Sequence, residues 1–309
     1  MADAETELRM RMADALGLDT GVPVKISGSA TLDSAYPVSD LATASIATAA
    51  LAAAELCSTL GFGQQEIAVD RGLCDTWFGY ALTPIGWTVP SPWDVIAGDY
   101  ATLDERGGAG WIRLHTNAPR HRAAALRVLG VEADRQHVAA AVARWTAEEL
   151  EAAIVAEGGC AAMLRTPEEW SSHPQGSAVA SERLAAFEET DPDAGGGRWT
   201  PTRERPLAGL RVLDLTRVLA GPVATRLLAG LGADVLRIDP PDWDEPGVIP
   251  EVTLGKRCAR LDLKATADRA VFEGLLAGAD VLVHGYRAGA LDDLGYDAEV
   301  RRRIAPGLV

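Results

Sequence analysis

The stretch from Pro206 to Asp239, PLAGLRVLDLTRVLAGPVATRLLAGLGADVLRID, constrains this chain more than any other. Arg211 to Leu215 is short, apolar and β-branched at Val212, which reads as a buried strand. A turn from Thr216 to Gly221 follows. Pro222 then sits where a helix can begin, since its φ is pre-set and its missing N–H costs nothing there. Ala224, Leu227, Leu228 and Leu231 recur at helical spacing on one face. Gly232 suits a left-handed stop, and Asp234 to Ile238 reads as the next strand, closed by Asp239. Short connections around one helix require parallel strands and a right-handed crossover.

Such a unit offers a ligand site at the carboxyl ends of its strands. A dinucleotide is disfavoured, because the turn TRVLAGP lacks the G-x-G-x-x-G that lets backbone approach a pyrophosphate. A net charge of -15 argues against bulk nucleic-acid binding, and an anionic ligand would need a local cluster of Lys or Arg. With 309 residues, 48% hydrophobic, the chain has core material for two domains. Cys57, Cys74, Cys160 and Cys258 are scattered, with no C-x-x-C pair, and read as buried thiols in a reducing cytoplasm. The amino terminus reads as a charged amphipathic helix ending near Gly17. The Ala-rich run Leu41 to Ala54 is too short to span a bilayer, so no membrane partner is expected.

Along the first half, a helix capped by Ser39 or Asp40 runs to Leu60, EIAVD (66–70) reads as a strand, and 71–80 as a helix. Segments 100–104 and 111–115 read as a hairpin. Helices follow at 120–129, at 137–144 and from Thr146, where Glu149 completes a capping box. Thr166-Pro167-Glu168-Glu169 repeats that signal. Residues 188–205, EETDPDAGGGRWTPTRER, have no apolar period and read as a linker. No histidine, cysteine or carboxylate cluster has metal-ligand spacing, and no hydrolase triad can be drawn. His115 and His121, with Arg113, Arg120 and Arg122, form a basic group that reads as a phosphate site or as surface charge.

The order VLDLTRVLAGPVATRLLAGLGADVLRID, then Gly255-Lys256-Arg257, Leu261-Asp262-Leu263-Lys264 and ADVLVHGYRAGALDDLGY (279–296) resembles the opening of the family III CoA-transferases. These include formyl-CoA transferases, carnitine CoA-transferases and 2-methylacyl-CoA racemases. Residues 1–187 resemble the family's later, carboxy-terminal half through VSDLATASIATAALAAAELCSTLGFGQQEIAVD, GWIRLHTNAPRHRAAALRVLGV and AIVAEGGCAAMLRTPEEWSSHPQ. The resemblance implies an α/β protein: a mixed α+β domain over 1–187, a linker over 188–205, and an incomplete Rossmann-like parallel-sheet domain over 206–309.

The resemblance also implies a reaction, with CoA moving between an acyl-CoA and a carboxylic acid in the cytoplasm, by an interlocked homodimer without a further cofactor. By position, Val218, Leu219 and Ala220 fall on the turn that contacts the nucleotide, and Leu261 and Lys264 on the adenine and phosphate contacts. Tyr286 and Arg287 fall on the family's Asn-Phe-Arg turn, where Gly285 replaces the Asn and Ala288 a following Pro. Lys264 has the alternative of an ordinary solvated lysine, and Lys256-Arg257 that of a solvated turn. Asp293 stands where some relatives carry a basic residue. The family's aspartate nucleophile falls just past Val309, so no residue here takes that role. Asp262 belongs to LDLK, and Asp297 reads as a helix cap. Two alternatives stand beside the transferase: a non-catalytic CoA-binding or assembly subunit, and a racemase-like isomerase.

Overall fold

The computed structural model describes residues 3–79, 81–103, 110–188 and 199–309. The chain opens with α1 (Ala4–Leu16), β1 (Val24–Ser27), α2 (Val38–Thr59), β2 (Ile67–Asp70) and α3 (Arg71–Phe78). Next come β3 (Gly98–Thr102), β4 (Gly110–Leu114), α4 (Pro119–Leu129), α5 (Arg135–Val142), α6 (Ala147–Ala156), β5 (Ala161–Met163), α7 (Pro167–Ser172) and α8 (Pro174–Ser181). The last part holds β6 (Arg211–Asp214), α9 (Ala220–Gly230), β7 (Asp234–Asp239), α10 (Ile249–Val252), β8 (Arg257–Arg260), α11 (Thr266–Leu276), β9 (Val281–Val283), α12 (Ala290–Asp293) and α13 (Ala298–Ile304).

The protein is mixed α/β. β1 and β2 pair in parallel, β3-β4-β5 form an antiparallel sheet, and β8-β7-β6-β9 form an all-parallel sheet. The compact units do not follow the halves read from the sequence. Residues 1–89 group with 183–309, and 90–182 form the other unit. The physical reason is packing across the first unit. Leu56 of α2 joins the core of Leu207, Val212, Ala233 and Val235, and Leu82 donates its amide to Glu251 at 3.0 Å. Most of the expected linker, residues 189–198, lies outside the described residues, as do residues 104–109 between β3 and β4.

Several local expectations hold for physical reasons. Gly17 ends α1 at φ 67, Thr166 and Glu169 form a reciprocal capping box, and Asp297 caps α13 by accepting from Val300. Others change. Neither Ser39 nor Asp40 caps α2, because each is engaged elsewhere: Ser39 donates to Asp75 at 2.9 Å, and Asp40 pairs with Arg71. At 22 residues and a mean hydropathy of 1.5, α2 is long and apolar enough to cross a bilayer, contrary to the reading of its shorter central run. In this fold its buried positions Ala42, Ala47, Leu51 and Ala54 recur every three to five residues and pack with Ile67, Val69 and Cys74. The thiols are not uniformly buried either, since Cys258 is exposed.

In the parallel sheet, β6 lies between β7 and β9. Leu213, Leu215, Ile238, Phe272, Leu276 and Tyr296 form the core beside it. α9 begins at Ala220, two residues before Pro222, whose missing N–H is still harmless within the first turn. Its buried face carries Pro222 and Thr225, whereas Ala224 and Leu227 are exposed. The inward position is therefore polar, which apolar periodicity could not reveal.

Candidate functional site

The central strand β6 has β7 on one side and β9 on the other, so the connections that follow β6 and β9 open a crevice at the carboxyl ends of the strands. The turn after β6 is held from two directions.

From below, Asp214, fully buried, accepts the Thr216 amide at 2.9 Å, the Thr216 hydroxyl, the Thr225 hydroxyl at 2.6 Å and Lys256 Nζ at 2.8 Å. Lys256 spends its other two protons on the Pro222 carbonyl and Thr225 Oγ1, both at 2.7 Å. Its side chain is wholly buried. Burial pushes the ammonium below its usual pKa, with Asp214 opposing that shift. Gly221 fits beside Thr216 only because it has no side chain, since a Cβ there would meet Thr216 Cγ2 at 2.4 Å.

From the side, Glu245 accepts the Val218 amide at 2.8 Å and Arg237 Nη2 at 2.8 Å. Arg237 is fully buried inside β7 and also forks onto Asp239 at 2.8 and 3.1 Å. Burial alone would lower its pKa, and the two carboxylates outweigh that. Val218 sits at φ 68, the left-handed region that a β-branched residue rarely occupies.

Arg217 reaches across the crevice. Its guanidinium lies 5.0 Å from the Trp243 ring and 5.3 Å from the Tyr286 ring, and Nη2 donates to the Tyr286 hydroxyl at 3.2 Å. Burial raises the pKa of that phenol. Arg217 Nε, Arg237 Nη1 and Trp243 Nε1 are buried donors at this end of the sheet with no acceptor among the described residues.

The sequence-predicted residues fall as follows. Val218 forms the strained turn, Leu219 precedes α9, and Ala220 is its first residue; all three are exposed. Leu261 follows β8, donating its amide to the Asp239 carbonyl at 3.0 Å and packing on the core. Lys264 is exposed, with its amide held by Asp262 at 3.0 Å. Tyr286 lies in the crevice and Arg287 is exposed beside it. All seven therefore follow carboxyl ends of one sheet; Val218, Leu219 and Ala220 belong to the connection after β6 itself, and Tyr286 joins it from β9 through Arg217.

Sequence reasoning missed Asp214, Arg237, Glu245, Trp243 and Thr225, and left Lys256 as an even choice with a solvated turn. Lys256 is not a solvated residue. An acid inside RVLDL and an arginine inside DVLRI were the available signals, since a charge within a buried strand demands a partner. Among the described residues no cluster of His, Cys, Asp and Glu suits a metal ion.

An α/β unit whose parallel sheet gathers a polar, strained turn and a crevice at its carboxyl edge defines the class. Residues 207–309 match the model of CoA-transferase family III. An acyl-CoA transferase from Gibberella moniliformis is 31% identical over 209 residues, covering 63% of this chain and 37% of that protein. An acetyl-CoA:oxalate CoA-transferase from Acetobacter aceti is 37% identical over 123 residues, 36% of this chain and 32% of that protein. A crystal structure of a CAIB/BAIF family protein from Brucella suis aligns over 35% of this chain and 32% of its own at 32% identity, with a TM-score of 0.32. The chain thus spans about a third of the length of these relatives.

Proposed function

We propose that residues 206–309 form a Rossmann-like, CoA-binding face of a CoA-transferase, which moves CoA between an acyl-CoA and a carboxylic acid. The observation that carries this reading is coincidence: the family match covers the residues that build the strained turn and crevice. The first N–H groups of α9, at Ala220 and Gly221, precede the intrahelical ladder and suit a phosphate or pyrophosphate, each such interaction contributing about 0.3–1 kcal/mol. In a chain of net charge -15, Lys264 and Arg287 supply local cations for an anionic coenzyme. Val218, Leu219 and Leu261 would line the nucleotide, and Tyr286 the inner wall. The chemistry needs a carboxylate nucleophile that carries the acyl group and then CoA, and no residue described here is assigned to it. The same reading makes the protein a cytoplasmic homodimer.

Calorimetry with CoA tests the reading. Binding in the micromolar to millimolar range is expected, weakened about tenfold by Lys264→Ala or Arg287→Ala, a loss of about 1.4 kcal/mol each. No heat at millimolar CoA overturns it.

A further inference from the structure

The network of Asp214, Thr225 and Lys256 spans three separate pieces of chain: the end of β6, the first turns of α9, and the residue just before β8. Its hydrogen bonding is saturated. The three protons of Lys256 Nζ go to Asp214 Oδ2, Pro222 O and Thr225 Oγ1. The Thr225 hydroxyl accepts from Lys256 and donates to Asp214, and the second carboxylate oxygen takes the amide and hydroxyl of Thr216. Both ends of the turn from Thr216 to Gly221 are therefore tied to one ammonium ion. Within that turn Val218 is held at φ 68. A backbone kept in a sparsely populated conformation persists only where its surroundings over-determine it. A hydrophobic core of the same volume would serve stability as well as a buried ion pair often does, yet it would not fix a carbonyl and two threonine side chains at once.

We propose that Lys256, through Asp214 and Thr225, is a positioning residue: it sets the backbone of the Thr216–Gly221 turn and thereby the aim of the first α9 amides, at Ala220 and Gly221, toward an anionic ligand. The inference rests on the CoA reading for the identity of that ligand, and stands on the geometry alone for the state of the turn. Lys256 itself, wholly buried, does not touch the ligand.

Three variants test it: Lys256→Met, the double variant Lys256→Met/Asp214→Asn, and Thr225→Val, which removes the bridging hydroxyl at nearly constant volume. The single lysine variant leaves a buried carboxylate without its counter-charge and is expected to lose much of its thermal stability. The double variant removes both charges and recovers most of it. Hydrogen exchange of the amides between Leu215 and Ala224 is then measured in the unliganded protein, alongside CoA titration. At least tenfold faster exchange in this segment, with β7 amides unchanged, is expected in the double variant and in Thr225→Val, together with at least tenfold weaker CoA binding. A double variant that recovers stability together with wild-type exchange overturns the inference and leaves the network a purely structural element. Wild-type exchange in Thr225→Val counts against it equally, even if the double variant fails to fold. If the unaltered protein binds no CoA, the coenzyme reading falls while the exchange data still decide whether the network sets the turn.

Discussion

The amide of Val218, a β-branched residue at φ 68, donates to Glu245 at 2.8 Å. Glu245 is itself fixed by Arg237 at 2.8 Å. The strained turn after β6 is thus clamped by a carboxylate from the segment following β7, a link between residues 27 positions apart.

Val218→Gly relieves the strain, since glycine adopts positive φ without a Cβ clash. The side chain is 49% exposed, so little burial is lost. A left-handed non-glycine residue costs about 1–3 kcal/mol, against about 0.5–1 kcal/mol for the extra freedom of glycine in the unfolded chain. A small rise in Tm, about 1–3 °C by calorimetry, is expected. Val218→Ala, which keeps the Cβ, gains nothing.

Gly221→Ala should do the opposite of the usual helix substitution. Alanine ordinarily stabilises a helix by about 1 kcal/mol over glycine. Here its Cβ would meet Thr216 Cγ2 at 2.4 Å and Thr216 Cβ at 2.5 Å. A destabilisation of about 1–3 kcal/mol by urea denaturation is expected, with weaker CoA binding because the turn must move.

Glu251 ties the two chain segments of the first unit together. It pairs with Arg226, whose guanidinium lies 4.3 Å from the Trp77 ring, and it accepts the Leu82 amide at 3.0 Å. Arg226 and Glu251 side chains are only 13% and 6% exposed. Glu251→Ala leaves a nearly buried guanidinium without a counter-charge and an amide without an acceptor. A loss of about 3–5 kcal/mol is expected in denaturant titration, far above the cost of a surface pair such as Lys25–Glu66, whose loss by Glu66→Ala should fall within about 1 kcal/mol.

Asp75 sets an acid limit on stability. Burial alone would raise its pKa, but donors from Thr31 at 2.6 and 2.9 Å and from Ser39 at 2.9 Å outweigh that and hold it below the ordinary 3.8. A carboxyl with a depressed folded pKa contributes stability that is fully present above 3.8 and is lost as pH falls from there through the folded value. Asp75→Asn should therefore be less stable than the parent at pH 7 and show a flatter decline below about pH 4 in thermal melts. Parallel declines in the two proteins would remove Asp75 from the acid response.

The sequence alone determined the strand–helix–strand from Arg211 to Asp239, the caps at Gly17, Thr166 and Asp297, and the resemblance of residues 207–309 to CoA-transferase family III. These follow from local periodicity, turn chemistry and motif order, which are properties of neighbouring residues. Tertiary structure decided the rest. It joined residues 1–89 to 183–309 rather than to 90–182. It turned Lys256 from one of two adjacent basic residues into the buried partner of Asp214, 42 positions away, and placed Glu245 under Val218. Such contacts pair a charge with an acceptor distant in sequence, and burial decides which pairs form, because an uncompensated charge cannot be left in a low-dielectric interior.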